Sequence, residues 1–506
     1  MKSFLFLVVV IVSLSALKAQ DKGIIFPRAF AFAIDDFGWN IGDDYGDVDG
    51  QGPYRIGLKR NMTVADYEAV VTVGKAVGAR IQGLFVMSEM DRLNILGADP
   101  TTTWQGKDWD NSSNISNEQI RVMDYVKNNA AHLEFGLHGV GHEYWVDGVK
   151  KRAEWYCTDD NHPWPEKTMR NHIQYFKDIM AQYGLSEENG QSFPESFVPC
   201  AYGYYWNPKG KYSTGKIMAD AGVKYVNTDF SYIEELNPPK GDNGGGYDNG
   251  VLVISRLNYG NVWYKLSKLP TVPVEEQVSD IIESHWSNWL AQDDFVQEQT
   301  TKEWIEYYKK VQAMQDRYIA KNTEQFYSQW LYKKYTKVKE DKIGTVEIDN
   351  TNMPQEYYDK DIIKNLVLKI QLKEGEHISK ALLNKKPIAC YFEDAGFGYI
   401  YMPMLNKEKY TLDYEVSEKN MDFFVFNDDT YNVYSVENTK KEKKVQLRVY
   451  GTQDVKIKGD NPKEIKIDNT DMQIVKSDYN TDKQMLIVTV QALDIQGETG
   501  TLTLKY

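Results

Sequence analysis

Ile24-Ile25-Phe26-Pro27-Arg28-Ala29-Phe30-Ala31-Phe32-Ala33-Ile34-Asp35-Asp36-Phe37-Gly38 is an apolar run that stops at two adjacent carboxylates. The stretch from Ile24 to Ile34 reads as containing a first, buried strand. Roughly a hundred residues further on, Leu137-His138-Gly139-Val140-Gly141-His142 repeats the plan, because His132 to Leu137 also reads as strand and a histidine stands at its carboxyl end. One carboxylate and two imidazoles can hold a divalent ion with a position left open, and the second carboxylate is then free to act on water.

Between and beyond these stretches, short apolar runs alternate with helical patterns from about Gly23 to Asn288, which predicts a parallel α/β architecture. Thr63 can cap a helix through Tyr67, Val70, Val71 and Ala76, and Ala79 to Met87 follows as strand. Ser116 and Gln119 form a capping box for a helix through Ile120, Met123 and Val126. Pro165 to Tyr183 is the next helix, stopped at Gly184, and strands at Ser196 to Pro199, Val223 to Thr228 and Val251 to Leu257 complete the series. Ligands of such folds sit at the carboxyl ends of the strands, where both motifs fall.

The pattern changes after Asp294. A charged stretch without Gly or Pro, through Trp304, Tyr308, Val311 and Tyr318 to about Tyr335, predicts a helical connector over 295–338. Alternation with period two follows, as in Leu366-Val367-Leu368-Lys369-Ile370, and predicts β-sandwich modules over 339–420 and 421–506.

The 506 residues carry 73 acidic and 59 basic side chains, a formal charge of −14, which argues against nucleic acid as a partner. Lys2, the apolar run Phe4 to Val12 and small residues up to Ala19 predict a signal peptide over 1–19 and an exported protein, periplasmic or secreted. No later stretch suits an integral membrane segment. Three cysteines, Cys157, Cys200 and Cys390, exclude a disulfide framework, although Cys157 and Cys200 could pair. The acidic loop Gly42 to Gly50 is no EF-hand, because the alignment puts Tyr45 at the first ligand position and Ile56 where a glutamate belongs.

His138 and His142 stand four apart, but Gly139 and Gly141 would each cost a helix roughly 1 kcal/mol relative to alanine, so a tight loop is expected instead. Two ionised neighbours such as Asp35 and Asp36 repel, and a bound cation relieves that repulsion. Moving a water pKa from about 15.7 toward about 7 corresponds to roughly 12 kcal/mol in hydroxide availability.

These motifs resemble those of the polysaccharide deacetylases of the NodB-homology group, carbohydrate esterase family four, over roughly Ile24 to Trp289. Ala33-Ile34-Asp35-Asp36-Phe37-Gly38 is similar to the first family motif, with one residue inserted before the glycine, and His138-Gly139-Val140-Gly141-His142 to the second. The resemblance implies a distorted (β/α) barrel, Asp35 as catalytic base, and Asp36, His138 and His142 as ligands of a divalent metal, zinc above all, with cobalt, nickel or manganese as alternatives. Val198-Pro199-Cys200-Ala201-Tyr202-Gly203 resembles the third motif without its arginine; Arg256 could substitute, and Tyr202 would lend its backbone N–H to an oxyanion hole. Ile281-Ile282-Glu283-Ser284-His285-Trp286 resembles the fifth, which makes His285 the general acid.

Aromatic residues follow each motif, and Trp39, Trp145, Trp206 and Trp286 are expected to stack on sugar rings. The function implied is removal of N- or O-acetyl groups from a carbohydrate. A carbohydrate-binding protein that has lost turnover is the alternative, motivated by the missing arginine and the appended β modules. Glycoside hydrolysis fits poorly, because its two carboxylates must flank a bond, whereas strand neighbours point to opposite faces.

Overall fold

The computed structural model describes residues 23–42, 58–102, 108, 110–207, 209–230 and 245–506. The expected signal peptide and residues 43–50 of the acidic loop lie outside them. Nine strands build the sheet that carries the motifs: β1 (Arg28–Phe37), β2 (Ile81–Val86), β3 (Leu133–Gly139), β4 (Ser196–Phe197), β5 (Tyr225–Thr228), β6 (Gly245–Asp248), β7 (Val251–Ser255), β8 (Ile281–His285) and β9 (Arg317–Ile319). Their order is β8-β1-β2-β3-β4-β5-β7-β6, with β9 on the first half of β1. Every pairing is parallel except β6 with β7. The sheet curls so that the segment after its second-last strand reaches β8: Leu257, just past β7, bridges Ile282 of β8, and Glu283 N donates to Leu257 O at 3.2 Å. Contact at that one bridge replaces a full ladder, so the mixed α/β class is met and the sheet is a curled one.

Side-chain size sets which way β1 faces. Phe30, Phe32 and Ile34 pack with the helices, whereas Ala29 and Ala33 line the narrow inner face. Asp35, two residues beyond Ala33, falls on that inner face by strand alternation. The helices α1 (Val64–Val77), α2 (Asn117–Asn128), α3 (Glu166–Ala181) and α4 (Thr214–Ala221) connect the strands. Ser116 N donates to Gln119 Oε1 at 2.5 Å, and Thr63 N donates to Asp66 Oδ2 at 2.8 Å, so both helix starts are held by side chains three residues in.

The connector departs from the expected helices. It holds α5 (Asp294–Gln312) and α6 (Thr323–Tyr335), but Tyr318 lies in strand β9 between them. Trp304 of α5 stacks on Trp289 with centroids 4.1 Å apart, and Tyr327 of α6 packs against Tyr225 of β5 at 4.9 Å. The aromatic residues read as helical periodicity thus bind this segment into the α/β sheet.

Beyond it lie three antiparallel-rich sheets of eight, five and four strands. The division placed at 420 is crossed by the eight-stranded sheet, where Cys390 and Tyr391 pair in parallel with Val425 and Phe426. Ile24–Ile25 adds to the same sheet through Ile370 and Lys369, so the amino-terminal end of the predicted first strand belongs there. Pro27, which lacks an N–H, separates it from β1. Among the described residues no helix is long and apolar enough to cross a membrane.

Candidate metal centre

Adjacent residues of a regular strand point to opposite faces, yet Asp35 and Asp36 are buried side by side, 3% and 1% exposed. The pairing of β1 with β2 shifts register between Ile34 and Phe37, and Asp36 adopts φ 61°. This bulge turns the second carboxylate toward the same strand-end pocket. Gly38 continues the turn at φ 93°, where a Cβ would stand 2.8 Å from Val86 O.

The histidines come from β3 and the loop after it. That loop wraps around the buried carboxylate of Glu154, which accepts from Val140 N at 3.0 Å, Gly141 N at 3.2 Å and His142 N at 3.0 Å. His172 Nδ1 meets its other side at 2.9 Å. Successive N–H groups folded around an anion make a nest, and the left-handed φ of His142, 67°, completes this one. A Cβ on Gly139 would lie 2.1 Å from Glu154 Oε2, so only glycine fits there. Trp155 Nε1 fixes the strand end by donating to His138 O at 2.8 Å.

The two elements converge on one oxygen. Asp36 Oδ1 is 3.3 Å from His138 Nε2 and 3.6 Å from His142 Nε2. His138 Nδ1 sits 2.7 Å from Val198 O, and since a carbonyl can only accept, Nδ1 carries the proton. In the neutral ring Nε2 therefore presents a lone pair to Asp36. Both Asp36 oxygens are buried without a hydrogen-bond donor. Burial opposes charge on His138, but Asp36 and Asp35 overcome it and hold its pKa above the ordinary value.

The buried gap between Asp36 and the imidazoles therefore takes positive charge, either a proton on His138 or a bound cation. Bond lengths of 2.0–2.2 Å in a tetrahedral zinc site imply ligand–ligand edges of about 3.4 Å, the scale of the separations found. The two histidines, with Asp36 3.3 and 3.6 Å away, could hold a divalent metal. His138, His142 and Cys200 also form a group whose ligand atoms lie within 4.8 Å of one another. Cys200 Sγ donates to His138 O at 3.3 Å, and burial, with Glu154 and Asp36 nearby, pushes its thiol far up.

Asp35 is held separately. Arg256, fully buried just past β7, grips it with both terminal nitrogens, Nη1 to Oδ1 at 2.7 Å and Nη2 to Oδ2. Burial alone would raise the Asp35 pKa, but the guanidinium, helped by His138 and His285, brings it below the usual carboxylate range. His285 occupies the position of β8 paired with Asp35. Glu283, two residues earlier and on the same face, is 3.5 Å from Arg256 Nε and 3.8 Å from His285 Nε2, and accepts from Tyr202 Oη at 2.7 Å.

Several expectations need correction. The Tyr202 N–H donates to Pro199 O at 3.3 Å, because Ala201 and Tyr202 adopt φ 47° and 62° and fold it back into the turn. It is committed there rather than offered as an oxyanion donor. Trp286 is fully buried against Phe37 and Tyr67, with centroids 4.2 and 5.1 Å away, and donates to Trp39 O at 3.2 Å. Trp39, Trp145 and Trp206 are 2%, 8% and 7% exposed, so these four indoles present little face to a sugar. Cys157 and Cys200 are buried and unbridged.

Sequence reasoning gave no role to Glu154 or Glu283. Glu283 could have been found, since it shares a strand face with His285 within a quoted motif. Nothing local marks Glu154. The chain matches no protein-family model and no curated protein.

Proposed function

We propose that the chain is an exported, periplasmic or secreted, metal-dependent hydrolase that removes N- or O-acetyl groups from a carbohydrate, on a curled sheet of the polysaccharide-deacetylase barrel type. The observation that carries this reading is the convergence of His138 and His142 on Asp36 Oδ1, at 3.3 and 3.6 Å, beside a separately held Asp35. Asp36, His138 and His142 would hold the ion, zinc above all, with cobalt, nickel or manganese also compatible with nitrogen and oxygen ligands. When bound, a divalent cation supplies Lewis acidity toward a carbonyl oxygen and water.

The remaining steps fall to the protein. Asp35 takes the proton of the attacking water on a lone pair left free by the arginine fork, which fixes the plane of its carboxylate. His285, at the paired position on β8, delivers a proton to the departing nitrogen or oxygen. Glu283 stands 3.8 Å from the Nε2 of that imidazole, and Tyr202 Oη holds Glu283 in place. The alternative, a binding protein without turnover, drew on the missing arginine and on the appended β modules. Arg256 at Asp35 weakens that ground. The test is acetate release from acetylated glycans with and without chelator. Unchanged release after Asp35→Asn or His138→Ala would end the proposal.

A further inference from the structure

Away from this centre, a second set of metal-ligating side chains closes on itself. Cys157, Asp160 and His162, spaced Cys-x-x-Asp-x-His, each place one ligand atom within 4.8 Å of the other two. Backbone bonds close the turn between its ends: Cys157 N donates to His162 O at 3.0 Å and His162 N to Cys157 O at 3.3 Å. Cys157 Sγ lies 3.6 Å from Asp160 Oδ2. The backbone N–H groups of Asp159 and Asp160 also point at the sulfur, while burial holds the free thiol above its usual pKa. His162 Nδ1 sits 3.0 Å from Pro163 O and must be the donor, so Nε2 keeps its lone pair and the ring is oriented from behind. Cys157 is buried, whereas Asp160 and His162 are exposed, so an ion has a way in from solvent.

We propose that Cys157, Asp160 and His162 form a second divalent-cation site, for a borderline-soft ion of the zinc class, completed by water. Sulfur with imidazole selects zinc or cobalt over calcium or magnesium, which take oxygen ligands. On binding, the thiol loses its proton to solvent and a sulfur–metal bond forms. The position gives the site a structural purpose. Glu154 and Trp155, which brace the histidine loop, immediately precede the turn, and Trp164 Nε1, just after it, donates to Ala153 O at 3.0 Å. An ion at 157–162 would staple the segment that aligns the first centre.

The test is a cobalt(II) titration of the metal-stripped full-length chain, following the near-ultraviolet charge-transfer band of a cobalt thiolate and the equivalents bound. The expected result is a band that is lost in Cys157→Ser and retained in Cys200→Ser and Asp36→Asn, with one equivalent lost in Cys157→Ser and in His162→Ala. A band that survives Cys157→Ser, or is lost in Cys200→Ser instead, overturns the assignment. So do full equivalents in His162→Ala, whose exposed ring can be removed without disturbing the core if the serine variant does not fold.

Discussion

Replacing Glu154 by glutamine changes one atom and removes one charge at the centre of the histidine loop. The amide can keep its oxygen toward Gly141 N and His142 N, now at 3.2 and 3.0 Å from Glu154 Oε2, and turn its NH2 toward His172. His172 can take up that NH2 by changing tautomer, because Thr101 Oγ1, 3.0 Å from its Nε2, can either donate or accept. What is lost is charge assistance on two or three bonds. Bonds to charged groups contribute ~1.5–3 kcal/mol and neutral ones ~0.5–1.5, so Glu154→Gln should destabilise by about 2–3 kcal/mol. Glu154→Ala strands the donors altogether and should exceed about 4 kcal/mol. Because the loop carries His142 and begins at the strand end that holds His138, zinc affinity should fall about 10–100-fold in the glutamine variant. Urea denaturation gives the first quantity and chelator competition the second. If both variants stay within about 0.5 kcal/mol of the parent with zinc affinity unchanged, the carboxylate does not organise the loop and the reasoning fails.

Arg256→Met leaves Asp35 and Glu283 buried without their cation and should destabilise by about 3–5 kcal/mol in denaturant melts, whereas Arg256→Lys keeps the charge, loses the fork, and should lower acetate release by about 100-fold. Trp286→Ala should destabilise by about 3–5 kcal/mol as a core deletion, and a stable variant with weakened glycan binding would restore the sugar-platform role. Burial lowers the pKa of Lys369 to about 7, despite Nζ donating to Arg317 O at 2.8 Å. Between about pH 7 and 10 the unfolded chain holds a proton that the folded chain has lost, so unfolding free energy should rise with pH by at most ~1.4 kcal/mol per unit, a slope that Lys369→Met should remove in pH-dependent melts.

The strands and helices around the motifs could be read from the chain because local chemistry specified them: capping side chains at Thr63 and Ser116, a glycine stop at Gly184, and apolar runs of strand length. The approach of Asp36 to His138 and His142 follows from both motifs standing at strand ends. Other features depended on contacts distant in sequence. Strand β9 has only three residues and gains its identity by pairing with Arg28–Phe30, which no periodicity reveals. The bulge that turns Asp36 is a register event between two strands. Glu154 is defined by the nest it fills, and that nest exists only once residues 139–142 have folded around it. The tryptophans misled because an indole after a loop motif suits core packing as well as a ligand face, and only burial separates the two.

The most direct measurement is metal content and acetate release in parallel for the parent chain and Asp36→Asn, each stripped and then given zinc. Asparagine keeps the shape of the side chain but offers the two imidazole lone pairs a neutral amide in place of a carboxylate. The account predicts that the variant binds one equivalent of zinc fewer than the parent and releases no acetate at zinc concentrations that restore the parent. An Asp36→Asn chain that retains the full zinc content, or that releases acetate as the parent does, would contradict it.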